Sequence, residues 1–301
     1  MVCKNIFLVF VVFNGKCYTS FVLFNHHDGS ENKVRFRKAF AFCLFGFIVC
    51  SVSSSLSGQE VSLRSFLLRE NTVSRYSYQV LESYPHDPSA FTQGLAFSGR
   101  VLYESTGLYG ESSLRKVDLR TGRVTQRLDL EDEHFAEGIT LWRDRIIQLT
   151  WRSGVVFIYD ALSFERLKTL PYPYEGWGIT TDGENLIVSD GSEIIRFLDP
   201  LDLSEKRRIE VQVAGRKIDR LNELEYAQGK IYANVWYEDL IVVIDPESGG
   251  LLGWIDLGGL DDPGKGGENV LNGIAYDGES GTFLVTGKRW HRIYRIKVLE
   301  E

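Results

Sequence analysis

Gln93-Gly-Leu-Ala-Phe97, Glu137-Gly-Ile-Thr-Leu141, Trp177-Gly-Ile-Thr-Thr181, Asn222-Glu-Leu-Glu-Tyr226 and Asn272-Gly-Ile-Ala-Tyr276 are five versions of one segment, spaced 44, 40, 45 and 50 residues apart. A period of roughly 40–50 residues signals propeller blades, in which each unit is a small sheet that buries its faces only by stacking on its neighbours. Each segment leads through a turn into a second apolar run: Arg100-Val-Leu-Tyr103, Asp144-Arg-Ile-Ile147, Glu184-Asn-Leu-Ile187, Gly229-Lys-Ile-Tyr232 and Gly281-Thr-Phe-Leu284. In the middle repeats a third run ends in an acidic turn, as in Val156-Phe-Ile-Tyr-Asp160, Ile195-Arg-Phe-Leu-Asp199 and Val242-Val-Ile-Asp245. Fourth strands are expected over residues 124–130, 166–170, 206–213 and 251–257. Short β-branched and aromatic runs between Gly, Asp and Asn turns, with no helical period, read as strands.

The fifth repeat reaches only three strands, ending at Val298, while Tyr76-Ser-Tyr-Gln-Val-Leu-Glu82 precedes the first repeat as a strand without a partner. Joining the two would complete the fifth unit and cover an exposed sheet edge. The expected architecture is therefore an all-β, five-bladed β-propeller over residues 76–301, its last blade closed by an N-terminal strand. A β-sandwich gives no reason for five like-spaced segments.

The chain of 301 residues is 44% hydrophobic and 25% charged, values ordinary for a folded domain with a sizeable core. Residues 1–54 hold six basic and two acidic side chains, so the remainder carries −11 of the overall net charge of −7. A domain this acidic, with no basic stripe, repels phosphate backbones, and nucleic acid is excluded as a partner. All four cysteines, Cys3, Cys17, Cys43 and Cys50, precede the repeats, which rules out a disulfide framework or a thiolate zinc site within them. His86, His134 and His291 are the histidines of the repeat region, and none has a second histidine at i+3 or i+4.

Residues 1–75 read as a targeting region and flexible linker. Arg35-Phe-Arg-Lys38 precedes an apolar run over residues 39–50, followed by Ser51-Val-Ser-Ser-Ser-Leu-Ser-Gly58, the ordering of a secretory signal. The run is shorter than the ~20 residues a spanning helix needs, so cleavage is expected, in a protein of the endoplasmic reticulum, vacuole or extracellular space. The alternatives are an anchor over residues 39–52, the one route to membrane association, and an aberrant extension over residues 1–34 with its own apolar run. Residues 51–75 are Ser-rich and aperiodic, hence the linker. No Asn-x-Ser/Thr sequon occurs.

Equivalent positions in successive repeats gather around a propeller axis, so superposing the repeats predicts a constellation. Gln93, Glu137, Trp177, Asn222 and Asn272 each stand at the start of an inner strand. Fourteen positions beyond Glu137 and Asn222 lie Trp151 and Trp236, and after a turn longer by two residues Lys288 follows Asn272. Phe91 and Phe135 each stand two residues before an inner-strand start. One rim should thus carry a carboxylate, an ammonium, amides, three indoles and two phenyl rings, the apolar wall with few polar groups of a small-ligand site. Indoles around a carboxylate raise its pKa towards the range useful for proton transfer. Each residue alone has a plainer reading: tryptophans pack between blades, Glu137 suits a solvated channel, Lys288 offsets the net negative charge, and Asn serves turns. Their common register is what singles them out.

At these residues the chain resembles the plant-type glutaminyl-peptide cyclotransferases, the metal-independent glutaminyl cyclases, over about residues 76–298. The resemblance is carried by Tyr84-Pro-His-Asp-Pro-Ser-Ala-Phe-Thr-Gln-Gly-Leu95, Leu102-Tyr-Glu-Ser-Thr-Gly-Leu108, Phe135-Ala-Glu-Gly-Ile139, Leu149-Thr-Trp151, Glu175-Gly-Trp-Gly178, Leu221-Asn-Glu-Leu-Glu225, Ala233-Asn-Val-Trp236, Leu271-Asn-Gly273 and Leu284-Val-Thr-Gly-Lys288. It implies a five-bladed propeller that converts N-terminal Gln of peptides and proteins to pyroglutamate with release of ammonia. It further implies Glu137 as the acid/base, Lys288 and Asn222 polarising the substrate amide, and Gln93, Trp151, Trp177 and Trp236 lining the pocket. No cofactor or metal and a monomeric state are expected. Two other readings remain at this point. One is a non-catalytic propeller binding a protein partner at its rim, since fold does not imply function. The other is a hydrolase with a hard cation on Glu137, Asn222 and Asn272, a set that the ammonium of Lys288 would oppose.

Overall fold

The computed structural model describes residues 6–13, 16–23, 62–261 and 267–299. Two units are distinguished, residues 1–57 and 58–301. In the first, Ile6–Phe13 pairs with Lys16–Leu23 as an antiparallel hairpin. The signal expected over residues 35–58 lies outside the described residues. No described helix is long and apolar enough to cross a membrane.

The second unit is strand-rich with almost no helix. The first repeat forms one four-stranded antiparallel sheet: Thr92–Ser98, Val101–Thr106, Ser113–Asp118 and Arg123–Asp129. The second does the same with Ala136–Trp142, Arg145–Thr150, Val155–Asp160 and Arg166–Pro171. The third uses Ile179–Thr181, Leu186–Ser189, Ile194–Leu198 and Glu205–Glu210. The fourth and fifth repeats share an eight-stranded sheet. Leu221–Ala227, Lys230–Val235, Leu240–Ile244 and Leu251–Asp256 form one half. Leu271–Asp277, Thr282–Gly287 and Arg292–Leu299 form the other, with Ser74–Pro85 antiparallel to Arg292–Leu299. The halves meet where Ser74, Arg75 and Tyr76 run parallel to Gly253, Trp254 and Ile255.

Side chains alternate across each sheet, and both faces are buried, which is why Leu240–Ile244 is apolar throughout. Ile146 packs towards the first repeat with Leu114 and Tyr103, whereas its neighbour Ile147 packs towards the third with Leu186 and Val188. Val242 and Val243 divide in the same way between the third and fifth repeats. Five apolar clusters result, one between each pair of adjacent repeats and one, around Leu95, Leu284 and Ile293, between the fifth and the first.

The inner strands surround a common axis, each packed on the next and Leu271–Asp277 returning to Thr92–Ser98. In four repeats a glycine follows the residue superposed at the head of the repeat: Gly94 after Gln93, Gly138 after Glu137, Gly178 after Trp177 and Gly273 after Asn272. At Gly138 a Cβ would stand 2.7 Å from the carbonyl oxygen of Trp177, and at Gly178 it would overlap the carbonyl oxygen of Asn222. Close approach lets Gly138 N–H donate to Trp177 O at 2.8 Å. The substitution Gly178→Ala is expected to lower stability by about 1–3 kcal/mol, the usual cost of overpacking. Urea unfolding measures it, and an unchanged midpoint would mean the ring has slack.

The fourth repeat departs from the glycine rule with Glu223. Its buried carboxylate accepts the backbone N–H of Leu95 at 3.2 Å and of Ile274 at 2.7 Å, tying three inner strands together.

Two expectations are corrected. The flexible linker over residues 51–75 gives way from residue 62 to ordered chain. A one-turn helix, Leu63–Leu67, is capped by Ser62, whose hydroxyl accepts from Ser65 N–H. Leu63 and Leu67 enter the cluster between the third and fourth repeats, and Arg64 pairs with Asp256 at 2.7 Å. One turn is too short to display a period, so only packing reveals it. The fourth strand of the third repeat, expected over 206–213, ends at Glu210, and Gln212–Val213 pairs with Arg216–Lys217 instead.

Candidate active site

Four inner strands carry a register irregularity at their first residues, between Thr92 and Gly94, Ala136 and Ile139, Leu221 and Leu224, and Leu271 and Ile274. The residues skipped by the ladder include Gln93, Glu137, Asn222 and Asn272. A bulge releases a residue from regular alternation and re-aims its side chain. Trp151, Trp236 and Lys288 follow the C-terminal ends of the adjoining strands, just after Thr150, Val235 and Gly287, which the antiparallel pairing sets beside Ala136, Leu221 and Leu271.

Phe91, Gln93, Phe135, Glu137, Trp151, Trp177, Asn222, Trp236 and Lys288 line one cavity of about 140 Å3. Asn272, superposed with them in the sequence, sits behind it: its Nδ2 donates to Thr92 O at 3.0 Å and to Gln93 Oε1 at 3.1 Å. Gln93 Nε2 in turn donates to Glu137 Oε1 at 2.9 Å. This relay presents Glu137 as an acceptor and fixes its rotamer. The walls are aromatic. Phe91 and Phe135 meet edge-on with centroids 6.2 Å apart, Phe135 and Trp151 at 5.7 Å, and Trp177 and Trp236 at 5.3 Å.

Charge in this cavity is desolvated. Burial pushes the Glu137 carboxyl well above the ordinary carboxylate range; Lys288 and the bond from Gln93 oppose the shift, and Glu175 adds to it. Burial likewise lowers Lys288, against the attraction of Glu137 and Glu268. The Lys288 ammonium lies 4.7 Å from the centroid of Phe91 and 5.9 Å from that of Trp236, within reach of cation–π attraction. Two buried polar atoms of the lining have no hydrogen-bond partner, the acceptor Asn222 Oδ1 and the donor Trp236 Nε1. A buried polar group without a partner costs free energy, which a hydrogen-bonding group in the cavity would offset.

Superposition of the repeats did not identify two contributors. Glu268 lines the cavity from just ahead of Leu271–Asp277, after a glycine-rich stretch of sequence without a counterpart in the other repeats, so the repeat register does not point to it. Glu175, the first residue of Glu175-Gly-Trp-Gly178, sits outside the inner-strand register and accepts the N–H groups of two of the indoles. Among the described residues no group of three His, Cys, Asp or Glu side chains converges as metal ligands do. His86 is bound instead to Glu104 Oε1 and the Trp290 carbonyl oxygen, both at 2.8 Å.

The arrangement suits transfer of a proton between a substrate and a desolvated carboxyl, opposite a cation that can face a developing oxyanion. A family model described as glutamine cyclotransferase matches residues 48–298. The glutaminyl-peptide cyclotransferase of Arabidopsis thaliana is 43% identical over 226 residues, covering 73% of this chain and 71% of that protein. The crystal structure of Myxococcus xanthus glutaminyl cyclase superposes with a TM-score of 0.71 at 33% identity, covering 75% of this chain and 98% of that one.

Proposed function

The chain belongs to the glutamine cyclotransferase family, and from that premise we infer how its pocket works. It is a glutaminyl-peptide cyclotransferase, an enzyme that converts the N-terminal Gln of peptides to pyroglutamate and ammonia. The observation that carries the assignment of the site is the Gln93-bound Glu137 facing Lys288 inside an aromatic cavity. A cavity of about 140 Å3 is close to the ~150 Å3 that holds benzene, and so has room for the side chain of one glutamine.

The α-amine nitrogen of the substrate attacks its own γ-carboxamide carbon, so the enzyme supplies no nucleophile. Holding the side chain folded converts binding into proximity. Glu137 takes a proton as the amine attacks and returns it to the departing nitrogen as the C–N bond breaks, releasing ammonia and regenerating the carboxylate. Lys288 stabilises the oxyanion. Asn222 Oδ1, the unpartnered acceptor, receives an N–H of the carboxamide, which a carboxylic side chain lacks, and Trp236 Nε1 is placed to donate to the substrate. Gln93 orients the base, while Phe91, Phe135, Trp151, Trp177 and Trp236 exclude water.

The eight-stranded sheet, read as two blades joined by its short parallel contact, supports a five-bladed propeller closed by Ser74–Pro85. Metal independence and a monomeric state belong to the same reading, as does entry into the secretory pathway on the ordering of residues 35–58. N-terminal sequencing of the mature protein tests the last point.

The deciding experiment incubates a short peptide with N-terminal Gln, with and without EDTA, and follows ammonia release and loss of ammonia from the peptide mass. Turnover that survives EDTA is expected. No turnover by the folded protein in either condition would favour a binding propeller instead, and turnover abolished by EDTA would refute metal independence. The pH profile of kcat/KM is expected to be a bell narrower than free side chains would give. Activity falls on the acid side as the attacking α-amine of the substrate, ordinarily titrating at about 7.7–8.0, and Glu137, above the ordinary carboxylate range, take up protons, and on the alkaline side as Lys288 loses its proton below the ordinary lysine range. Limbs at the positions of free Glu and Lys would contradict these roles.

A further inference from the structure

Glu175 stands in the loop between Arg166–Pro171 and Ile179–Thr181. Its Oε2 accepts Trp151 Nε1 at 2.9 Å and Trp177 Nε1 at 3.2 Å, so one oxygen holds indoles from two repeats. Its Oε1 accepts Arg152 Nε at 2.8 Å, and that guanidinium stacks 3.9 Å from the centroid of Trp151. Both indole N–H groups are thereby occupied behind the wall, whereas Trp236 Nε1 has no partner. Two of the three indoles are thus held by one carboxylate and the third is not.

We propose that Glu175 is a positioning residue, one that locks Trp151 and Trp177 into the wall against which the glutaminyl side chain folds. The proposal rests on the cyclotransferase reading above. A flexible wall would let the side chain extend, and proximity would be lost. Burial alone would discourage ionisation of Glu175, yet the bonds from Arg152 and the two indoles outweigh it and keep the carboxyl below its ordinary range. Its charge therefore persists beside the cavity. Lys288 and Glu175 are the charged groups that act on Glu137, and Glu268 acts on Lys288. The negative charge of Glu175 makes Glu137 a stronger base.

Glu175→Ala and Glu175→Gln in the full chain test this. Glu175→Ala is expected to lose near-ultraviolet circular dichroism from the Trp177–Trp236 pair while the far-ultraviolet spectrum is kept. KM for a peptide with N-terminal Gln should rise about tenfold, in keeping with hydrogen bonds to a charged acceptor, with a smaller change in kcat. Glu175→Gln retains one acceptor and should show a smaller rise in KM, with the acid limb of kcat/KM displaced to lower pH because the charge that raises Glu137 is gone. In Trp151→Phe/Trp177→Phe the further change Glu175→Ala should leave KM almost unaltered, since its partners' N–H groups are already absent. An unchanged near-ultraviolet spectrum, or loss of thermal stability with KM and the acid limb unmoved, overturns the proposal. The spectrum decides whether the wall is held even if the wild-type protein proves not to cyclise Gln, an outcome that counts against the cyclotransferase reading alone.

Discussion

Glu137→Gln is expected to lower kcat by at least ~10²-fold, the lower range for removal of a general acid/base. The replacement amide retains an oxygen at the Oε1 position to accept Gln93 Nε2, so the relay from Asn272 survives and the cavity keeps its shape. What disappears is the ability to take a proton from the attacking amine. Because the carboxyl is raised by burial, the wild-type chain carries a stability that is fully present below the unfolded pKa of about 4.3 and is lost as pH rises through the folded pKa. The variant has no such loss. It should therefore be more resistant to urea than wild type at mildly alkaline pH while nearly inactive, the exchange of stability for activity that active sites often show. Steady-state ammonia release and urea unfolding across the pH range measure both. Undiminished turnover would remove Glu137 from the mechanism.

The largest effect on the fold is expected at Glu223. Glu223→Ala leaves the N–H groups of Leu95 and Ile274 buried without an acceptor, at about 1–3 kcal/mol each, so a loss of roughly 2–6 kcal/mol follows. Glu223→Gln keeps one acceptor and should lose less. Burial is the main reason that the Glu223 carboxyl lies well above its ordinary range, with Glu225 adding and the two N–H bonds opposing. The sign matches that of Glu137: this stability is present below the unfolded pKa and declines as pH rises through the folded one, so Glu223→Gln should flatten the decline. Urea midpoints at several pH values test it. An alanine variant as stable as wild type would mean that the inner strands are held by their clusters alone.

These two glutamates show what was legible and what was not. Glu137 was readable because it opens an inner strand at the position taken by Gln93, Trp177, Asn222 and Asn272 in the other repeats. Glu223 occupies the following position, where the other repeats have glycine, and its acidic character alone says nothing of a tie across the axis. The helix Leu63–Leu67 escaped notice because a single turn has no period, and Glu175 and Glu268 because neither follows the repeat.

Periodicity belongs to the chain, so the sequence by itself determined the strand order, the sharing of apolar residues between two faces, and which residues meet at one end of the inner strands. Closure of the ring belongs to the tertiary structure. In the folded chain bulges turn Gln93, Glu137, Asn222 and Asn272 off the ladder, and burial shifts Glu137 and Lys288 towards their neutral forms. Hydrogen bonds and desolvation depend on distances of a few ångströms between segments 40 or more residues apart, and no local pattern encodes those distances.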